Sequence, residues 1–337
     1  MNKEIELWYF IGDRLKQNHN VMLLIVAESS GSSPGRQGYK MAVGADGTFC
    51  GSIGGGVMEV NLVELAGQIL SEPAAAASDS MSFLKLQIHR KNADSPSGMI
   101  CSGEQTVIFR LVSLQDIKTV EKIIDAIKRR TEAFLTISSK YLNAGPPEGG
   151  TQNAPENQEA DFFFENKSGG DFIFREKLGS KNDLYIIGGG HCTLALSELM
   201  SKMDFHIRIF DDRPDLNTLG KNRFADDIKI IDDYVKIGDL IPTGSNTFVV
   251  VMTIGYKSDE VVIRQLFDKD FKYLGVLGSR AKMAILMTNL KKEGFSAEQL
   301  DRIHTPIGLP INSRTPEEIA VSIAAEIIAV KNSAAEA

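Results

Sequence analysis

The stretch from Leu184 to Pro214 constrains the fold more than any other part of the chain. It begins with a short apolar run to Ile187, long enough for a buried parallel strand, and three consecutive glycines follow at once. Leucines and methionines then recur at helical spacing, a second apolar run ends at Phe210, and Asp211 follows it. This order of strand, glycine turn, helix, strand and acid predicts a Rossmann-like domain with a mainly parallel sheet.

The same stretch predicts a nucleotide or phosphate site. Free N–H groups at the start of the helix would hold a phosphate, and an acid about 20 residues later would bind a ribose hydroxyl. The third position of the glycine fingerprint is Thr193 rather than Gly or Ala. The alternative is a tight turn without a ligand, followed by a solvated strand end. The candidate ligand contacts are Gly188, Gly189, Gly190, His191, Asp211 and Arg213.

The totals describe two domains of ordinary globular composition. With 337 residues, 43% hydrophobic and 24% charged, the chain can bury two cores. Its net charge of −7, without a run rich in Lys and Arg, argues against a nucleic-acid scaffold. The start of the chain shows no signal peptide and no apolar run long enough to span a membrane. Cys50, Cys101 and Cys192 lack metal-type spacing, which favours free thiols in the cytoplasm and no metal site.

A loop rich in serine and glycine in the first half predicts a further anion contact. Residues Ser29 to Gly38 are turn formers throughout, after a predicted strand at Val21 to Ala27. The loop's hydroxyls, including Ser33, its amides and the Arg36 guanidinium could hold an anion. A plain surface loop is the alternative interpretation.

A second glycine cluster follows a predicted hairpin and precedes a predicted helix that carries Val60, Val63 and Leu70 on one face. Consecutive glycines at a helix start form a nest of N–H groups that attracts anions. Glu59 lies in the first helical turn, where it would either stabilise the helix dipole or bond a ring nitrogen of a ligand. The candidate contacts are Gly54, Gly55, Gly56 and Glu59.

Cys101 is the candidate reactive thiol, because it stands at the start of a predicted strand, where a thiol could face a cleft. A small buried cysteine is the alternative. Residues 143–159, rich in Gly, Pro, Asn and Glu, predict a flexible insertion. We place the first, mixed α/β domain at residues 1–178 and the Rossmann-like domain at residues 179–337.

The second domain offers further loops at the ends of predicted strands, the side on which open α/β sheets bind ligands. Thr253 to Tyr256 follows a strongly apolar strand. Gly278, Ser279 and Arg280 follow the next strand, and Arg280 would hold an anion or begin a helix as a surface residue. The stretch from His304 to Leu309 predicts a rigid loop, whose candidate contacts are Pro306 and Gly308. Thr315 caps the last predicted helix.

Taken together, these motifs resemble the XdhC/CoxI family, the accessory factors of xanthine dehydrogenase and related molybdenum hydroxylases. The resemblance rests on GSSPGRQGYKM with GSIGGG in the first half, IIGGGHCTLAL with IFDDRP in the second, and GVLGSRAK with HTPIGLPINSRTPEEIAVSIAAEIIA at the end. It covers most of the chain, and the final stretch is long and specific.

The resemblance implies a molybdenum-cofactor chaperone. Such factors bind the molybdopterin cofactor, protect it while a sulfido ligand is installed, and deliver it to a xanthine dehydrogenase-type enzyme. It further implies a homodimer and a cysteine desulfurase as a second partner. Two positions depart from the family: Val57 stands where a Cys often follows the glycines, and Thr253 to Tyr256 replaces a turn that contains His. Ser102 also replaces a Gly after Cys101.

Two other functions stay open at the level of sequence. The strand, glycine turn, helix and acid also suit an NAD(P)-dependent oxidoreductase or a protein that binds another nucleotide, although no proton-donor set accompanies them. A scaffold that docks a molybdenum enzyme without any small ligand is the third hypothesis. We expect the glycine loops of both domains to serve one anionic ligand.

Overall fold

The computed structural model describes residues 3–72, 81–89, 103–146, 161–179 and 182–333. The chain divides into two compact units, unit 1 (Met1–Ser180) and unit 2 (Lys181–Ala337). Cys101 and residues 147–159 of the predicted insertion lie outside the described ranges.

Unit 1 contains a five-stranded antiparallel sheet in the order β3-β2-β1-β5-β4. Its strands are β1 (Val21–Gly31), β2 (Lys40–Gly44), β3 (Phe49–Gly51), β4 (Ser82–His89) and β5 (Gly103–Val112). The central strand β1 is buried on both faces from Val21 to Ala27, which explains why this run is apolar without alternation. Alternate residues pack against helix α1 (Lys3–Lys16) on one side and helix α2 (Gly56–Ser71) on the other.

A second sheet of unit 1 has four antiparallel strands in the order β7-β6-β9-β8. They are β6 (Ala133–Ser138), β7 (Leu142–Gly145), β8 (Phe162–Asn166) and β9 (Phe172–Leu178), and helix α3 (Ile117–Arg129) precedes them. The predicted hairpin before the boundary is confirmed by the pairing of β8 with β9. Asn143 to Gly145, which fall within the predicted insertion, instead complete β7 against β6.

Three further details of unit 1 correct the sequence predictions. Strand β1 continues to Gly31, because Ser29 and Gly31 pair with β5 beyond a bulge. The buried face of α2 carries Met58, Leu62 and Ala66, whereas the predicted Val60 is 54% exposed. Since the turn that precedes a helix sets its rotation over the sheet, the helical period alone left two faces open. In β4, Leu86 and Ile88 are exposed rather than half-buried.

Unit 2 confirms the predicted Rossmann-like fold. Its six strands form one parallel sheet in the order β12-β11-β10-β13-β14-β15. They are β10 (Asn182–Ile187), β11 (Phe205–Asp211), β12 (Asp227–Ile230), β13 (Gly244–Val251), β14 (Phe271–Val276) and β15 (Ile303–His304). The chain order reverses between β10 and β13, and the carboxyl ends of these two strands form the crevice in which such sheets bind ligands.

Helices cover both faces of this sheet. The helices are α4 (His191–Met200), α5 (Asn217–Lys221), α6 (Ile237–Leu240), α7 (Tyr256–Leu266), α8 (Arg280–Lys292), α9 (Ala297–Asp301) and α10 (Pro316–Asn332). Helices α4 and α10 share one core with the sheet, and α6, α7 and α8 share the other. The predicted capping box of the last helix is confirmed: Thr315 Oγ1 accepts the N–H of Glu318 at 3.2 Å.

Candidate functional site

The three glycines after β10 have different structural reasons to be glycine. Gly188 has φ 107°, and a Cβ atom there would stand 2.2 Å from the carbonyl oxygen of Met252. At Gly189, a Cβ atom would stand 2.4 Å from Leu219 Cδ2. Gly190 has an ordinary φ of −71°, and nothing lies within 4 Å of a Cβ atom built there. The fold therefore requires the first two glycines, while the third leaves open space in front of the start of α4.

The Asp211 carboxylate is committed to this loop rather than to open space. Its Oδ2 accepts the N–H of Gly189 at 2.6 Å, and both oxygens accept from Arg213: its N–H at 2.9 Å, its Nε at 2.9 Å and its Nη2 at 2.7 Å. The side chain has no exposed surface. Burial raises the pKa of Asp211, but the hydrogen bonds from Arg213 and Gly189 outweigh it, so the pKa lies below its usual value.

This geometry corrects the expected role of Asp211 and Arg213. A carboxylate offers about four acceptor sites, and protein donors occupy all of them here. A ribose hydroxyl would have to displace Arg213 before Asp211 could accept it. Asp211 fixes the glycine loop, and Arg213 neutralises the buried carboxylate.

The start of α4 is the part of the loop that keeps free donors. Among the described residues, the main-chain N–H groups of Gly190 and His191 have no protein acceptor, because the first intrahelical bond is Leu194 N–H to Gly190 O at 3.1 Å. The N–H groups of Gly188 and Gly189 are already used, by Phe210 O and Asp211. His191 is exposed beside the free groups. Thr193, at the third fingerprint position, donates its hydroxyl to Gly188 O and thereby braces the turn.

The loop after β14 adds one free cation to the same edge of the sheet. Ser279 caps α8 by accepting the N–H of Lys282 at 3.4 Å. Arg280 is exposed, and in the described part of the chain its guanidinium has no hydrogen-bond or ion-pair partner. A Cβ atom at Gly278 would meet the Met283 Cε atom at 2.3 Å, a contact with the flexible end of a side chain. The predicted ligand contacts of Ser279 and Arg280 stay predictions.

The loop after β15 is held by Glu326 of α10. Glu326 Oε2 accepts the N–H of Gly308 at 2.8 Å and also the Tyr273 hydroxyl. Gly308 has φ 96°, and a Cβ atom there would stand 2.3 Å from Ser322 Oγ, so the fold itself requires glycine. Pro306, joined to Thr305 by a cis peptide bond, is exposed. The position of Pro306 leaves a ligand contact possible, whereas Gly308 primarily serves the loop.

Asp259 is a candidate site residue that the sequence analysis missed. It lies in the first turns of α7, after the central strand β13, and is 4% exposed. Its Oδ1 accepts the Thr253 hydroxyl at 2.6 Å and the Thr253 N–H at 3.2 Å. Burial raises the pKa of Asp259 above its usual value despite these bonds. A buried acid with a shifted pKa at the ligand edge of a sheet is typical of functional sites. An acid soon after the Thr253 turn was the available signal.

The two candidate loops of unit 1 pack against each other through their backbones. A Cβ atom at Gly35 would stand 2.2 Å from Ile53 O, and one at Gly54 would stand 2.5 Å from Gly35 N. Ser33 is buried and donates its hydroxyl to Gln105 at 2.9 Å. Arg36 is exposed. Close packing of loops therefore accounts for Ser33 and for Gly54, while Arg36 keeps the predicted anion contact open.

Glu59 fills the glycine nest of unit 1 with a carboxylate of the protein's own. Its Oε2 accepts the N–H of Ile53 at 2.8 Å, the N–H of Gly55 at 2.9 Å and the Ser52 hydroxyl at 2.7 Å. The Gly54 N–H donates to Ser52 Oγ at 3.2 Å. An external anion would have to displace Glu59, so the expected ligand bonds of Gly54 and Gly55 are made within the loop. Gly56, at φ 76°, begins α2.

The thiols of the described residues are not activated. Burial raises the pKa of Cys50 and of Cys192, which keeps both protonated. Val57, at the position where a cysteine is often found, is 57% exposed. The described residues include no group of three or more His, Cys, Asp or Glu side chains arranged to hold a metal ion. In the same ranges, no helix is long and apolar enough to cross a membrane.

Comparison with known proteins identifies related sequences for both units. A family model described as the XdhC Rossmann domain matches residues 184–327, and a model of the XdhC and CoxI family matches residues 14–77. The uncharacterized protein YqeB of Escherichia coli (strain K12) is 23% identical over 321 residues, which are 95% of this chain and 45% of that protein. The chain thus spans less than half the length of that relative.

A second relative matches the chain over nearly its whole length. This relative, from Bacillus subtilis (strain 168), is described as a probable xanthine dehydrogenase component, and it is 23% identical over 332 residues, 93% of this chain and 94% of that protein. Among solved structures, a protein described as a xanthine dehydrogenase from Bacillus halodurans matches with a TM-score of 0.73 at 23% identity. That match covers 99% of this chain and 96% of the other, and it supports the fold.

Proposed function

The chain belongs to the XdhC and CoxI family, and we propose that it is an accessory factor for a molybdenum hydroxylase of the xanthine dehydrogenase type. In this proposal it binds the molybdenum cofactor and delivers it to the client enzyme. The family supports the accessory role, and the name of the Bacillus subtilis relative refers to xanthine dehydrogenase. The cofactor carries the metal chemistry, and the protein supplies the binding site.

The observation that carries the proposal is the start of α4. A molybdopterin ends in a phosphate, and the free N–H groups of Gly190 and His191 lie at the positive end of a helix in the crevice of the sheet. Open space surrounds the position that a Gly190 side chain would occupy. These residues fit a phosphate, and the exposed imidazole of His191 lies beside them as a further donor. Ser279, Arg280 and Pro306, on neighbouring loops, complete the proposed binding set.

The glycine nest of unit 1 does not fit an anion as it stands, because the Glu59 carboxylate already occupies its N–H groups. We therefore propose that the phosphate binds the glycine loop of unit 2. The expectation that the glycine loops of both units serve one ligand stays a prediction.

The sulfur step rests on a different residue. In the proposal Cys101 accepts sulfur from a cysteine desulfurase, since the cysteine often found at Val57 is absent. Replacing Cys101 with Ser should leave cofactor affinity unchanged and abolish sulfuration of the cofactor. Equal sulfuration by the variant would restrict the protein to binding and delivery.

An NAD(P)-dependent oxidoreductase is the weaker alternative. Dinucleotide recognition uses the acid after the second strand to bind a ribose hydroxyl, and here Asp211 has four protein donors instead. A docking scaffold without a ligand gives no reason for an open Gly190. The proposal also places the protein in the cytoplasm as a homodimer, and light scattering of the purified chain measures its oligomeric state.

Anaerobic calorimetric titrations with molybdenum cofactor, NADH and NADPH separate the three functions. We expect saturable binding of the molybdenum cofactor and binding at least tenfold weaker for both dinucleotides. Tighter binding of NADH or NADPH would replace the proposal with the oxidoreductase. If no ligand binds and the client enzyme still co-purifies, the scaffold hypothesis holds.

A further inference from the structure

A second cavity of unit 2 lies at the open edge of the parallel sheet, away from the glycine loop. Its volume is about 230 Å³. The edge strand β15 pairs with β14 only at Leu274 and Gly275. The first residues of β14 therefore lack a strand neighbour on that side within the described ranges. The cavity follows this uncovered stretch and is closed by the end of α7 and by α9.

Three basic side chains line the cavity, and no acidic side chain does. Lys269 comes from the turn after α7, Lys272 from β14, and Arg302 from the end of α9. The chain as a whole carries a net charge of −7. A lining with three positive charges thus departs from the composition of the protein, and it favours a negatively charged ligand.

The basic groups retain donors for such a ligand. Lys272 has no hydrogen-bond or ion-pair partner among the described residues. Lys269 Nζ donates to Ile241 O at 2.8 Å, which fixes its position and leaves further N–H groups. Arg302 Nη2 donates to Asp270 Oδ1 at 2.7 Å and to Lys269 O at 3.1 Å, so its other nitrogens stay available. Because the Asp270 side chain is 87% exposed, water screens its charge.

His304 and Tyr273 form the inner wall. The Nδ1 atom of His304 lies 3.5 Å from Glu326 Oε1, so its Nε2 atom is the ring nitrogen without a protein partner in the described chain. The two rings are 4.6 Å apart, and the Tyr273 hydroxyl donates to the same Glu326. Glu326 thus holds both rings from behind, and its Oε2 atom also holds the N–H of Gly308.

The size of the cavity sets the size of its ligand. Pockets for drug-sized ligands measure roughly 300–1,000 Å³, so a volume of about 230 Å³ suits a smaller molecule. Phe267 and Phe271 line the same cavity and offer an apolar surface beside the charges. We propose that this cavity binds a small oxyanion, a phosphate or carboxylate group on a compact apolar or aromatic body. The charged group lies between Lys272 and Arg302, and the apolar part packs against the phenylalanines.

The test is isothermal titration of the full chain with three probes: inorganic phosphate, phenyl phosphate and benzoate. We expect saturable binding of at least one probe, and the arms distinguish phosphate esters from carboxylates. Lys272→Gln and Arg302→Gln should each weaken that binding roughly tenfold, the effect of losing one charge-assisted hydrogen bond. Lys229→Gln is the matched control, because Lys229 is exposed on β12 at the opposite edge of the sheet. Its affinity should stay within about twofold of the original.

Two results would overturn the proposal. One is the absence of saturable binding for all three probes. The other is equal weakening by Lys229→Gln and Lys272→Gln, which would mean that the probes respond only to overall charge. If Arg302→Gln fails to fold, Lys272→Gln decides the question alone. A positive result also predicts a shift of the Gly308 amide resonance on binding, since Gly308 shares Glu326 with the cavity wall.

Discussion

The N–H of Gly189 donates to the Asp211 carboxylate at 2.6 Å, and this bond joins the glycine loop to the end of the neighbouring strand. The acid that sequence patterns assign to a ligand is thereby built into the loop that would bind the ligand. The same arrangement leaves Gly190 and His191 as the free donors at the start of α4. This division of roles between Asp211 and the helix start has measurable consequences.

Replacing Asp211 with Ala should destabilise unit 2 strongly. The variant leaves the buried Gly189 N–H and the Arg213 guanidinium without their acceptor, a loss on the order of 3 kcal/mol. Urea unfolding measures the difference. Asp212→Ala is the matched control, because the Asp212 side chain is 39% exposed and accepts one bond, from Tyr234 at 3.2 Å. It should cost less than about 1 kcal/mol. Equal effects of the two variants would contradict the structural role of Asp211.

The contribution of Asp211 should also depend on pH in a defined direction. Its pKa in the folded protein lies below the usual 3.8, so the carboxylate stabilises the fold above that pH. The contribution is lost as the pH falls through the folded pKa. The stability difference between the original chain and Asp211→Ala should therefore be constant near neutral pH and shrink below about pH 4. A difference that grows on acidification would contradict this account.

Replacing Gly188 with Ala should destabilise the protein, whereas Gly190→Ala should not. Alanine at Gly188 combines an unfavourable φ of 107° with a Cβ atom 2.2 Å from a carbonyl oxygen, which costs at least about 2 kcal/mol. Gly190→Ala meets open space at an ordinary φ, and it should change stability by less than about 0.5 kcal/mol. Thermal unfolding of both variants checks the contrast. Equal losses would mean that Gly190 is packed.

Replacing Glu59 with Ala should destabilise unit 1 and create an anion site there. The N–H groups of Ile53 and Gly55 lose their acceptor, at a cost of about 1–2 kcal/mol. An anion that fills the vacated nest should restore part of the loss, so phosphate should raise the melting temperature of this variant more than that of the original chain. Glu64→Ala, on the exposed face of the same helix, is the control and should show neither effect. Without a phosphate effect, the proposed nest geometry is wrong.

Replacing Asp259 with Asn should stabilise unit 2 at neutral pH. Burial raises the pKa of Asp259, so the charged form is disfavoured in the folded state, and Asn keeps an acceptor for Thr253. Stability conferred by the protonated acid is present below the unfolded pKa and lost as pH rises through the folded pKa. A gain of about 1 kcal/mol, or roughly 2–4 °C in melting temperature, is expected at pH 7 and none near pH 3.

The control for this prediction is Asp268→Asn, in an exposed turn, which should leave the melting temperature unchanged at both pH values. A lower melting temperature of Asp259→Asn at pH 7 would contradict the prediction, because it would mean that the charged carboxylate stabilises the fold.

The sequence predicts the fold of unit 2 closely because its signals are local. Apolar runs, the glycine turn and the capping box at Thr315 each specify an element, and the structure contains them at nearly the predicted bounds. The rotation of α2 depends instead on tertiary packing, which no local period encodes. The exposed face of β4 likewise follows from its place at the edge of the sheet.

The site was predictable to a smaller degree. Sequence finds the glycine loops, since glycine clusters are costly and therefore informative. It does not tell whether their N–H groups are free, because the residue that occupies them lies elsewhere in the chain: Asp211 for Gly189, and Glu59 for Gly55. Those distinctions require the three-dimensional contacts. The role of Cys101 stays a prediction.

The most direct measurement of the central claim is the affinity of Gly190→Leu for the molybdenum cofactor, titrated anaerobically beside Gly220→Leu. Both positions have open space for a side chain, so both variants should fold, but only a leucine at Gly190 covers the free N–H groups at the start of α4. The account predicts at least a tenfold loss of affinity for Gly190→Leu and an unchanged value for Gly220→Leu. Full affinity in the Gly190→Leu variant would show that the cofactor does not bind at this helix.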